Sequence, residues 1–84
     1  MQDAERQAGR SAINATQSKS AFLYRQVRRG LQSGRYLPGQ RIDPATLATE
    51  FKTSATPVRF ALYRLVGEGQ IADCGRAGLE VPLP

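Results

Sequence analysis

Large apolar residues are unevenly distributed along this chain. Over residues 1–19, Ile13 is the only large aliphatic residue after Met1, and Gln, Ala, Ser and Arg make up most of the remainder. Such a stretch cannot bury enough surface to offset the entropy of ordering, and it reads as a flexible N-terminal tail. From residue 20 the pattern changes. Leu23, Tyr24, Val27 and Leu31 recur at helical spacing between Ser20, a candidate N-cap, and Gly34, a candidate C-terminal stop. Arg25, Arg28 and Arg29 fall on the opposite side, where a solvated face is the default and contact with a DNA backbone or partner domain the alternative. Phe22 falls off the apolar stripe.

Pro38-Gly39 then marks a turn, and Arg41-Ile42 has room for a very short strand. Asp43-Pro44 reads as an N-cap followed by proline in the first helical turn, opening a brief helix that carries Leu47, Ala48 and Phe51 on one face. After a tight turn at Lys52-Thr53, a third helix begins at Ser54 or Thr56, either of which can cap it. Val58, Ala61, Leu62, Leu65 and Val66 make its amphipathic stripe. Gly67 and Gly69 end it. Ile71 to Asp73 and Leu79 to Val81 predict two strands joined by Gly75-Arg76-Ala77-Gly78. The expectation is a mainly α fold with a small β-hairpin: a winged helix-turn-helix of three helices and a wing over residues 20–84. Its helices are expected near 20–33, 44–51 and 54–67 and its hairpin near 70–81. Leu23, Val27, Leu31, Leu47, Phe51, Val58, Leu62, Leu65, Ile71 and Val81 form the expected core.

Composition narrows the function. Eighty-four residues make one small domain, and a chain of this size buries only about 60% of its unfolded surface. Twelve Lys and Arg, ten of them Arg, against seven Asp and Glu give a net charge of +5. That excess favours an anionic partner, nucleic acid before membrane surface or acidic protein. Cys74 is the only cysteine and there is no histidine, so neither an internal disulfide nor a zinc site can be assembled. Carboxylates are spread singly. No acid–base or nucleophilic constellation is visible, and neither an enzyme nor a cofactor is expected. With no long apolar run and no secretory signal, the expected location is the cytoplasm.

Two short helices joined by a tight turn make a helix-turn-helix, whose second helix fits the major groove of duplex DNA. On a helical wheel Thr56, Arg59 and Tyr63 cluster on one polar flank, and Phe60 and Arg64 on the other. Arg59 is suited to bidentate bonds with guanine or to a phosphate; the alternative is a solvated charge or an internal ion pair. Tyr63 and Phe60 divide evenly between DNA contact and packing within the domain. Arg76, between small residues at the hairpin tip, suits a minor groove, the alternative being an ordinary exposed turn.

The segment from Leu23 to Val81 resembles the DNA-binding domain of the GntR family of bacterial regulators, most closely its FadR-type branch. The matching text is Leu37-Pro38-Gly39-Gln40-Arg41-Ile42, Leu47-Ala48-Thr49-Glu50-Phe51, Thr53 through Leu62, Glu68-Gly69-Gln70-Ile71 and Gly78-Leu79-Glu80-Val81. The resemblance implies a winged helix reading palindromic operators as a dimer. It places Ser54, Thr56 and Arg59 at DNA-contacting positions and Gly78 at the wing glycine. Lys52, Thr53, Ala55, Tyr63 and Arg76 complete the candidate DNA-binding set. Ala55 and Ala45 stand where the family commonly has arginine, Phe60 where it often has Glu, and Lys52 where it often has the turn glycine. These departures bear on operator affinity rather than on fold. The family also implies a C-terminal effector-binding and dimerisation domain, joined where this chain stops. The alternative is a winged-helix module that binds protein through Phe60 and Tyr63.

Overall fold

The computed structural model describes residues 2–83, with side chains from residue 18 onward. Helix α1 spans Gln2–Ser33, strand β1 Arg41–Ile42, α2 Pro44–Glu50, α3 Ala55–Gly67, β2 Ala72–Asp73 and β3 Leu79–Glu80, with a 3-10 turn at Gly75–Ala77. Three helices and a small antiparallel sheet make the predicted winged helix. The helix expected to open near Ser20 instead begins at Gln2 and runs through the segment read as a flexible tail. The physical reason is propensity. Ala, Gln, Glu and Arg are good helix formers, and a helix nucleated by its packed C-terminal half extends at little further cost. Apolar spacing reports which residues pack, so it could not mark this extension. Arg6 and Arg10 of this segment lie outside the residues whose side chains are described.

Helices α1 and α3 pack on each other, and α2 packs on α3. Leu23, Tyr24 and Val27 of α1 meet Val58, Ala61, Leu62 and Leu65 of α3, with Leu47 and Ala48 of α2 closing one side. Val27, Val58, Leu62, Leu65 and Ile71 are fully buried. Burial of this kind stabilises by about 1.5–3 kcal/mol per large side chain. Leu31 and Phe51 are only half-buried at the edge of this core, while Tyr24, Tyr36, Ile42 and Leu79 join it. Phe22 finds a partial partner in Phe51, edge to face with ring centroids 6.3 Å apart, yet remains 47% exposed.

The short strands are arranged by the last of them. The sheet order is β1-β3-β2, both pairs antiparallel, with Ile42 opposite Leu79 and Ala72 opposite Glu80. The Val81 N–H donates to the Gln40 carbonyl and the Gly39 N–H to the Val81 carbonyl, both at 2.8 Å, prolonging the pairing with β1. At the other end the Cys74 N–H donates to the Gly78 carbonyl at 2.8 Å and closes the wing tip, where Gly78 takes a φ of 87°. The pairing of β1 with β3 places Arg41 beside the wing.

Candidate nucleic-acid interface

The turn between α2 and α3 sets α3 at its angle. Phe51 ends α2, its N–H donating to the Leu47 carbonyl at 2.9 Å, and the Thr53 N–H donates to the Ala48 carbonyl at 2.9 Å. Lys52 between them has φ 55°, the left-handed region that glycine enters without strain. Ser54 is the N-cap of α3 with extended backbone, but its side chain makes no capping bond. Its hydroxyl and the first amides of α3 therefore stay open to solvent or to a phosphate oxygen. Thr56, two residues on in the first turn of α3, is exposed.

Arg59 and Tyr63 line one side of an open groove of about 440 Å³, and Arg76 and Gly78 of the wing line the other. The third wall is β1 and the turn after it, contributing Arg41 and Asp43. Arg41, Arg59 and Arg76 are all exposed, and none belongs to either ion pair seen among the described residues. For Arg59 this removes the internal ion pair as an explanation. Two carboxylates share the groove, each accepting hydrogen bonds from neighbouring residues. Asp43 caps α2, accepting from the Ala45 N–H at 3.3 Å and the Thr46 hydroxyl at 2.9 Å. The Thr46 and Ala45 hydrogen bonds hold its carboxyl below the usual carboxylate range. Asp73 accepts from the Gly75 N–H at 3.0 Å and steadies the tip. Partial desolvation and nearby Glu80 push the thiol of Cys74 up from its ordinary value.

The candidate DNA-binding residues divide by position. Arg59, Tyr63, Arg76 and Gly78 come together in the groove, while Ser54 and Thr56 sit exposed at the start of α3. Lys52 is exposed on the far side of the turn, lining a small hollow of about 100 Å³ with Lys19, Phe22, Phe51 and Thr53. Two candidates turn inward. Ala55 is half-buried against the core, and the Thr53 hydroxyl oxygen is buried with no hydrogen-bond partner. The tight turn explains Thr53, because the backbone bond to Ala48 pulls it toward α2. Phe60 and Tyr63 face outward, 60% and 53% exposed, rather than packing within the domain. Arg64, on the other flank, lies 4.0 Å from the centroid of the Tyr24 ring and 3.7 Å from Glu68, which accepts from the Tyr24 hydroxyl. That hydrogen bond holds the Tyr24 phenol above its ordinary value and ties α1 to the end of α3.

Arg41 was missing from the candidate set. Its place in the groove depends on a long-range strand pairing that no local signal announces. Among the described residues no helix is long and apolar enough to cross a membrane, and no cluster of potential metal ligands occurs.

An exposed helix α3 beside a wing tipped by Arg76, on three helices and a three-stranded sheet, defines a winged helix-turn-helix protein. Residues 19–81 match the family described as bacterial regulatory proteins, gntR family, and the chain belongs to that family of non-enzymatic, DNA-binding regulators. It is also similar to a crystal structure described as a GntR-family transcriptional regulator, at 25% sequence identity and a TM-score of 0.67. The alignment covers 76% of this chain and 26% of the other, so the domain spans about a quarter of that relative's length. No match is found among curated proteins.

Proposed function

We propose that this domain reads double-stranded DNA sequence-specifically, with α3 in the major groove and the wing at the neighbouring minor groove. The observation that carries the reading is the shared groove, where Arg59 from α3 and Arg76 from the wing stand exposed and unpaired on facing sides. Arg59 and Tyr63 meet base edges, and Arg76 enters the minor groove, where negative potential attracts arginine. Ser54, Thr56, Lys52 and the first amides of α3 hold phosphates and fix the register. Thr53 and Ala55 act through the backbone and packing of the turn. The Leu37–Ile42 and Thr53–Leu62 text supports the FadR-type branch, and such a reader of chromosomal DNA works in the cytoplasm. Dimerisation and effector binding fall to parts of a regulator outside this domain, which is monomeric or weakly dimeric alone.

The test is duplex binding measured against salt. The domain should bind mixed-sequence duplex within about 10⁻⁴–10⁻⁶ M at physiological salt and more tightly at 50 mM. Arg59→Ala should cost about 1–3 kcal/mol on a selected site and relax preference there, while Arg76→Ala should weaken all sequences more evenly. Absence of salt-dependent binding at 50 mM would overturn the reading. The exposed rings of Phe60 and Tyr63 favour a second one, a protein-binding face on α3. Amide shifts decide between them, since duplex DNA should move residues 53–64 and 75–78 together.

A further inference from the structure

Arg41 belongs to no element of the helix-turn-helix and lies outside the wing hairpin, yet it lines the groove between them. Its position follows from the sheet. Arg41 is opposite Glu80 on β3, while its neighbour Ile42 points into the core opposite Leu79. Alternation along the strand thus sends the Arg41 side chain outward. Glu80 forms no ion pair with it, and neither does Asp43, the nearest acid along the chain, whose oxygens accept from the Ala45 N–H and the Thr46 hydroxyl. The guanidinium makes no ion pair among the described residues, though it lies near enough to Asp43 to help lower that carboxyl, and it stands on the third wall with Arg59 and Arg76 on the other two.

In the DNA reading proposed above, on which this inference rests, α3 and the wing occupy adjacent grooves of one duplex. The sugar–phosphate strand that separates those grooves must then run along the space between them. We propose that Arg41 grips this strand, a phosphate clamp that fixes how deeply α3 and the wing seat together. A contact to phosphate carries no base information, so its removal weakens binding without changing sequence preference. This separates its role from that of Arg59.

Each phosphate neutralised contributes about 0.9 to the slope of log affinity against log salt. In the full chain, Arg41→Ala should lower that slope by about 0.9 on a mixed-sequence duplex. The affinity lost between 50 and 200 mM salt should then be roughly threefold smaller than for the unaltered protein. Arg28→Ala, an equal loss of charge on the exposed side of α1, should leave the slope in place, and Arg41→Lys should keep most of it. A thermal melt checks that Arg41→Ala folds, and Arg41→Gln serves if it does not. An unchanged slope in Arg41→Ala, or an equal fall in Arg28→Ala, overturns the clamp while leaving the DNA reading intact. Absence of salt-dependent binding by the unaltered chain overturns both.

Discussion

A methyl group at Gly30 would overlap the ring of Tyr36, which is laid over α1 and held by its own N–H donating to the Gly30 carbonyl at 3.3 Å. Arg35 covers that ring at 5.5 Å from its centroid and pairs with Glu50, so the ring has little room to retreat. Helix propensity alone would favour alanine at a mid-helix glycine by about 0.8–1.0 kcal/mol. Overpacking of this kind costs about 1–3 kcal/mol. The overlap should win. Gly30→Ala is expected to destabilise the domain by about 1 kcal/mol, lowering Tm by about 4–8 °C in a circular dichroism melt. A rise in Tm would show that the ring yields and that propensity governs the site. Nothing local in Arg29-Gly30-Leu31 foretold this close approach, because the partner ring comes from the loop beyond the helix.

Among the elements, the turn between α2 and α3 carries the clearest conflict. Lys52 holds a left-handed conformation that costs a non-glycine residue about 1–2 kcal/mol, yet it adds an exposed cation beside the start of α3. Lys52→Gly should raise stability by about 1 kcal/mol, seen as a higher Tm, and should reduce the salt dependence of duplex binding. A lower Tm would mean that the lysine stem contributes more packing than strain. The elements were largely legible in the sequence. Leu62 and Leu65 fall at helical spacing and are fully buried, Asp43-Pro44 opens α2, and Arg41-Ile42 is a two-residue strand. What was not legible depends on contacts across the chain. Tyr36 enters the core from a loop, the Thr53 hydroxyl turns inward, and Arg41 reaches the groove only because β1 pairs with β3. The extension of α1 back to Gln2 escaped for a different reason: a helix that follows propensity leaves no apolar stripe.

At the scale of the whole molecule, the exposed large apolar side chains are Phe22, Leu37, Phe60, Tyr63 and Leu83 among the described residues. They are carried by α1, the loop after it, α3 and the C-terminal segment. A stable interface buries about 800 Å² on each partner. The chain should therefore sediment as a monomer at low micromolar concentration, and a stable dimer there would overturn this expectation. Strand β3 has a mechanical consequence. It is the middle strand of the sheet and the last in the chain, so both ladders hang from it. Tension applied through residue 82 enters along its axis and loads the wing tip and Arg41 together, while α3 is held separately by Tyr24 and the core. On the DNA reading proposed above, a pull from beyond the domain would thus shift Arg41 and Arg76 before it disturbs α3. On that reading the fold would couple its end to strength of hold sooner than to choice of sequence.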